Sequence, residues 1–429
     1  MPRNHTSFNP KSYEKIPATN IIGNDSDSTN IYYNVMIYNN STNYDPSGNP
    51  IDTVLSVAAD FSQQRAKPYI GKPADYYASV TYFHLDSNSF PCQVVQPIIG
   101  KSYLPSTTFN GTTIEGFPTV YAYSLSMTYS SGTVDDPIAY VYWKPLDSTL
   151  TAPPSPIKKK DLQNEYFWNY SFDYLLDLLN NSIANRMDNM VNAVSPGNYA
   201  GDKPYFKHDG ETDLMSFNAP LTFRTKLDGS LYSAPGVGQY FWKIYLNEPL
   251  YQLVQSLTSL YGPGPDFYGY QLLCMPDPGN TNIIQQSTSF ASAPPAITSN
   301  YMVMLQQYPS SPLWNPVVSI VFTTPNLCVV NEMKALPLVD GIDPNPPTNN
   351  ADSLNILFEY FIGRRADPTI NNFIRAEYRL TDLLSIQPET QLIVQSFWKD
   401  EFGQLHPFFI EQGCGLNMKI LFRKKIFYK

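Results

Sequence analysis

Tyr121-Ala122-Tyr123-Ser124-Leu125-Ser126-Met127-Thr128-Tyr129 is the stretch that decides the fold class. Successive side chains of a strand point to opposite faces. Tyr121, Tyr123, Leu125, Met127 and Tyr129 then form one apolar face, and Ala122, Ser124, Ser126 and Thr128 a more polar one. Ser130-Ser131-Gly132 and Asp135-Asp136-Pro137 supply turn chemistry before the next run, Ile138 to Trp143. Upstream, Tyr76, Ala78, Val80 and Tyr82 alternate with Tyr77, Ser79, Thr81 and Phe83 in the same way. Residues 29–150 therefore read as an antiparallel β module.

Beyond it lies a Pro-rich, then basic stretch, Thr151 to Pro156 followed by Lys158-Lys159-Lys160. Proline cannot feed a sheet ladder, so this stretch marks a boundary or linker. The period then becomes helical. Phe172, Leu175, Leu176, Leu179, Ile183, Met187, Met190, Val191 and Val194 fall at steps of three and four, while Asp173, Asp177, Asn181 and Asp188 lie off that stripe. Ser195-Pro196-Gly197 should end the helix. Such a stripe must be buried, by default against the chain's own sheet. Residues 151–200 are thus linker plus helix.

From 201 to 429 the period of two returns. Tyr240, Trp242, Ile244 and Leu246 share a face, as do Leu354, Ile356, Phe358 and Tyr360, and again Leu416, Met418, Ile420 and Phe422. A short helix is expected from Pro249 to about Tyr261, ended by Gly262-Pro263-Gly264-Pro265, with long Pro/Asn/Ser loops at 276–299 and 335–352. Residues 1–28 are polar and without period, which suits an arm. The fold class is mainly β: antiparallel β-sandwich or jelly-roll modules with one long amphipathic helix between them.

Composition narrows the role. Only 15% of the 429 residues are charged, against roughly 25% for an average soluble domain. Asn, Ser, Thr, Pro and 32 Tyr stand in their place. Such side chains hydrogen-bond without a large desolvation cost, and Tyr adds apolar area, so this surface suits contact with neighbours. A secreted or carbohydrate-binding β domain shares the bias. The net charge of −9 argues against a generic nucleic-acid coat. Cys92, Cys274, Cys328 and Cys414 are far apart and read as free, buried thiols of a protein made in a reducing cytoplasm. No secretory signal and no apolar run of membrane-spanning length is expected.

Chemistry is hard to find. His84 falls in an alternating strand, His406 precedes Pro407 in an apparent loop, and His5 lies in the arm. His208-Asp209-Gly210-Glu211-Thr212-Asp213 has oxygens for Ca²⁺, but Asp-Gly is ordinary turn chemistry. Gly100-Lys101-Ser102 mimics the end of a phosphate loop, yet Val95 stands where that loop needs glycine. No catalytic residue, metal ligand or cofactor is nominated. The sharpest local feature is the tail, where Lys419, Arg423, Lys424, Lys425 and Lys429 follow the last acid, Glu411. It offers a contact to packaged nucleic acid or an acidic partner; the plain alternative is a strand with solvated outward residues.

The β modules, polar arm and basic tail, with endings such as Phe397-Trp398-Lys399-Asp400 and Lys419 to Lys425, resemble jelly-roll capsid proteins of small eukaryotic DNA viruses, of the penton or minor capsid type found in virophages and polinton-like viruses. The resemblance is one of overall style and carries over no functional residue. It implies a virion protein that self-assembles with copies of itself and other capsid proteins. A double jelly-roll major capsid protein, a receptor- or carbohydrate-binding spike using Asp266-Phe267-Tyr268, and a β-sandwich glycosidase are the rival readings.

Overall fold

The computed structural model describes residues 30–39, 47, 57–86, 90–109, 112–145, 155–158, 161–162, 164–195, 201–223, 225–231, 233–262, 264, 270–274, 284–286, 301–330, 332–333, 353–362, 369–373, 379–410 and 413–425. The arm, the loop 335–352, the Asp266-Phe267-Tyr268 rim, Lys159, Lys160 and Lys429 lie outside them. The chain divides into two compact units. Unit one draws on 1–89, 318–363 and 367–429, and unit two is essentially 90–317.

Unit one is a single jelly roll. Among the described residues its strands of five or more residues are, in chain order, Asn30–Tyr38, Asp60–Gln64, Tyr76–Asp86, Val317–Thr323, Ile356–Phe361, Thr369–Phe373, Gln391–Asp400 and Gly415–Lys424. Counted in that order, one sheet runs first-eighth-third-sixth and the other second-seventh-fourth-fifth. That interleaving is the two-sheet jelly-roll topology. Aromatic side chains join the sheets: Phe83 packs on Phe322 (5.5 Å) and Tyr360 (5.1 Å), and Tyr33 on Phe61 (6.3 Å).

The pairing corrects one detail of the local pattern. Gly415–Lys424 pairs with Tyr76–Asp86, but the register shifts between Lys419, opposite Tyr82, and Ile420, opposite Val80. Thr81 is the extra residue, a β-bulge that reverses the inside–outside phase. Tyr76, Ala78 and Val80 face the core as expected, but after the bulge Phe83 and Leu85 do so instead of Tyr82. The outer face thus keeps Tyr82 and the half-buried His84.

Unit two enters between the third and fourth jelly-roll strands. The stretch Tyr121–Tyr129 lies in an 18-residue strand, Thr112–Tyr129, paired antiparallel and in register with Tyr240–Leu246. Tyr121, Tyr123, Leu125 and Met127 are in the core, joined by Trp242, Ile244 and Leu246. The opposite face is covered too: Ala122, Ser124 and Ser126 are buried, and the Ser124 hydroxyl donates to the Asp136 carbonyl at 2.8 Å.

The long helix spans Phe172–Val194, capped by Ser171, whose hydroxyl accepts from Tyr174 N. Its stripe of Leu175, Leu176, Leu179, Ile183, Met187, Met190 and Val191 belongs to the same core, so it packs on its own unit's sheet. Asn180 latches it to the strand Tyr205–Asp209: its carbonyl oxygen accepts from Phe206 N at 2.8 Å and its amide donates to Phe206 O at 2.9 Å. Asn180→Ala leaves both groups of Phe206 without these partners, and a urea melt should show a loss of about 2 kcal/mol. A change under about 0.5 kcal/mol, the scale of an ordinary surface substitution, would mean that the latch is idle.

The short helix is shorter than its apolar pattern. It runs Glu248–Leu253, and Ser259–Gly262 is a strand paired with Tyr270–Leu273. Ser256, at φ 72°, breaks it, its hydroxyl accepting from Gln307 N at 2.9 Å. The four cysteines are free, but Cys328 is exposed and only Cys274 fully buried. Burial pushes the Cys92 thiol up to about 12 and that of Cys274 up to about 11.

Candidate functional site: the open face of the jelly roll

The basic strand Gly415–Lys424 lies inside the first sheet, between the edge strand Asn30–Tyr38 and Tyr76–Asp86. Paired residues of neighbouring strands share a face. Val35 with Met418 and Phe83, and Tyr33 with Ile420 and Val80, form the buried side. The other side carries Asn34 with Lys419 and Tyr82, then Met36 with Asn417 and His84. On it Tyr32 is 59% exposed, Met36 68% and Tyr38 59%. Aromatic, thioether and amide groups dominate; Lys419 is an exposed cation among them.

The tail residues therefore part company. Lys419 is exposed on this face and Arg423, opposite Tyr77, is half-buried at its end, whereas Lys424, opposite the buried Tyr76, is half-buried on the other side of the sheet. Lys425 is committed inward: its ammonium meets Asp382 Oδ1 at 2.8 Å, donates to the Ala74 carbonyl at 2.9 Å and sits 5.0 Å from the centre of the Tyr77 ring. Its backbone N–H also donates to Asp75 O. Lys425 is a clasp closing the end of the strand, its charge matched locally.

Two of the histidines, His406 and His208, have structural work. His406 lies in the strand Leu405–Pro407, not in a loop, and is buried. Its Nε2 is 2.9 Å from Asp400 Oδ2, its ring stacks on Trp398 at 4.1 Å, and Asp400 Oδ1 accepts from Phe402 N and Gln404 N. The pair fastens the turn between Gln391–Asp400 and Leu405–Pro407. His208 to Asp213 forms a hairpin turn: Asp209 accepts from Glu211 N and the Thr212 hydroxyl, and His208 Nε2 meets Asp213 at 2.9 Å. Among the described residues no group of three or more His, Cys, Asp or Glu side chains is placed to hold a metal. No helix among them is long and apolar enough to cross a membrane.

The exposed aromatic row on Asn30–Tyr38 was not singled out from sequence. The signal was present in Ile31 to Tyr38, where Tyr33 and Val35 alternate with Tyr32, Asn34 and Met36. Both faces there are largely apolar, so the pattern does not say which is left open.

Jelly rolls serve viral shells, lectins and cupins alike, so topology alone does not separate these uses. Two solved structures share this architecture over nearly the whole chain. A chain of the Sputnik virophage, from its 3.5 Å cryo-EM structure, has TM-score 0.65 at 20% identity, over 93% of this chain and 99% of that one. The mavirus penton protein, from a crystal structure, has TM-score 0.55 at 14% identity, over 93% of this chain and 100% of that one. No curated protein sequence matches. The fold is thus a jelly roll of the capsid and penton kind. Residues 31–424 match the family model of Sputnik minor capsid protein V18/19, and the chain belongs to that family. It is a virion structural protein of penton or minor capsid type.

Proposed function

We propose that the protein is a penton-type capsomer subunit that joins copies of itself and neighbouring capsid proteins through the open face of its jelly roll, without catalysis. The observation that carries this reading is the row Tyr32, Met36 and Tyr38, all more than half exposed on one sheet face poor in charge. Interfaces are enriched in aromatics and Met and depleted in charge at their centre. The penton identity of the mavirus neighbour supports the vertex position.

In this mechanism the fold is complete before assembly, and the contact buries side chains that solvent otherwise meets. Residues 1–28 act as an arm whose ordering on a neighbour is offset by the surface it buries. Packaged nucleic acid is a secondary contact, through Lys419, Arg423, Lys424 and Lys429. Lys425, clasped to Asp382, adds little to it. So few cations imply a shallow salt dependence.

Light scattering and negative-stain imaging of the purified chain test this. The full chain should form closed oligomers. A chain lacking residues 1–28 should keep its far-ultraviolet circular dichroism and melting profile but assemble poorly. Normal particles from the truncated chain would remove the arm from the mechanism. A full chain that stays monomeric, alone and with its capsid partners, would remove the reading itself.

A further inference from the structure

A concave site in unit two borders the core at Met190 and takes no residue from the open face. It has a volume of about 250 Å³, where the flank of the helix Phe172–Val194 meets the strands Thr112–Tyr129, Gly132–Asp135 and Ala139–Trp143. Along Ala139–Trp143 the odd positions face the core, so Tyr140 and Tyr142 share the outward side. Both line the cavity. From the helix come Ser182, Asn185, Arg186 and Asn189, a single stripe at helical spacing beside the buried one. Asp135 and Asp136 supply carboxylates, and Ile114, Val134 and Met190 the apolar wall.

The charges are set by geometry. Arg186 Nη1 lies 3.2 Å from Asp136 Oδ1, and the Asp136 side chain is only 10% exposed. The Asp136 backbone is pinned as well, its N–H donating to Leu125 O and its carbonyl accepting from Ser124. The guanidinium is thus oriented by a buried partner and its charge matched. Counting Asp135, the lining carries one net negative charge, which disfavours sialate, sulfate or phosphate.

What remains is a pair of tyrosine rings beside planar amide, carboxylate and guanidinium groups. That combination fits a sugar ring, which offers a C–H face to an aromatic and a rim of hydroxyls that both donate and accept. The volume is just below the roughly 300–1,000 Å³ of sites for drug-sized ligands, a size suited to one ring. We propose that this cavity binds a single neutral pyranose, the terminal hexose or N-acetylhexosamine of a glycan, with Tyr140 and Tyr142 against the ring and Asn185, Asn189 and Asp135 on its hydroxyls. The proposal does not depend on the assembly role, since the site lies wholly within unit two.

Saturation-transfer NMR on the full chain tests it, with the methyl glycosides of glucose, galactose, N-acetylglucosamine and N-acetylgalactosamine as probes. Sialic acid and choline serve as the anionic and cationic arms. At least one neutral glycoside should show transfer with millimolar affinity. Tyr140→Ala and Asn185→Ala, both on the exposed rim, should each weaken it about tenfold while the melting profile is unchanged. No transfer from any neutral glycoside, stronger binding of sialic acid or choline, or binding indifferent to both substitutions would overturn the proposal.

Discussion

A chain carrying Met36→Lys and Tyr38→Asp together should melt close to its parent and fail to enter particles. Both side chains are well exposed on the edge strand, 68% and 59%, so neither supports the core. Surface substitutions of this kind change stability by about 0.5 kcal/mol or less each. In a contact surface the same changes bring charge to a centre that must lose its water. Interface hot spots cost about 2 kcal/mol or more each, and closed symmetry repeats the cost at every copy. Negative-stain counts of particles beside a thermal melt separate the two effects. Normal particle yield from the double variant would show that this face is not covered. A melt lowered by ten degrees or more (roughly the size of a core lesion) would show that it is not a free surface.

Gly116→Ala should cost unit two about 3 kcal/mol or more. Gly116 sits at φ +125° in the strand Thr112–Tyr129, a conformation L side chains avoid, and an added Cβ there overlaps the carbonyl of Trp143. Trp143 is in no position to yield. It is fully buried, its indole N–H donates to Tyr166 O at 2.8 Å, and its ring packs edge-on against Tyr174 at 5.4 Å. Relief therefore has to pass through the core that also holds the helix. Gly210→Ala, at a turn where an added Cβ meets nothing within 4 Å, is the matched control and should stay within about 0.5 kcal/mol. Equal urea midpoints for the two variants would refute the close approach.

The candidate site was half legible. Lys419, Arg423 and Lys424 were visible as a basic run, and the alternation of Leu416, Met418, Ile420 and Phe422 placed them on a strand. That Lys425 turns inward was not visible, because its partners Asp382 and Ala74 are remote in sequence and no local rule connects them. His406 was misplaced for a related reason. Pro407 favours a loop locally, but burial against Trp398 and Asp400 carries the strand through it.

The character of each segment was settled by the chain itself. Periods of two and of three to four report which side chains can share a face, and that depends only on backbone geometry and the residues in place. Hence the strands, the helix at Phe172–Val194 and the mainly β class were readable along the line. Partnership was not. Sequence order suggested one β module before the helix and another after it, whereas contact joins Asn30–Tyr38 and Tyr76–Asp86 to Gly415–Lys424 near the far end of the chain. The bulge at Thr81, the jelly-roll order and the open row of Tyr32, Met36 and Tyr38 all follow from that pairing. Closing so long a loop costs little more than closing a short one, because the entropy grows only with the logarithm of length. Local pattern therefore carries no penalty from which a distant partner can be inferred, and only packing between the sheets chooses it.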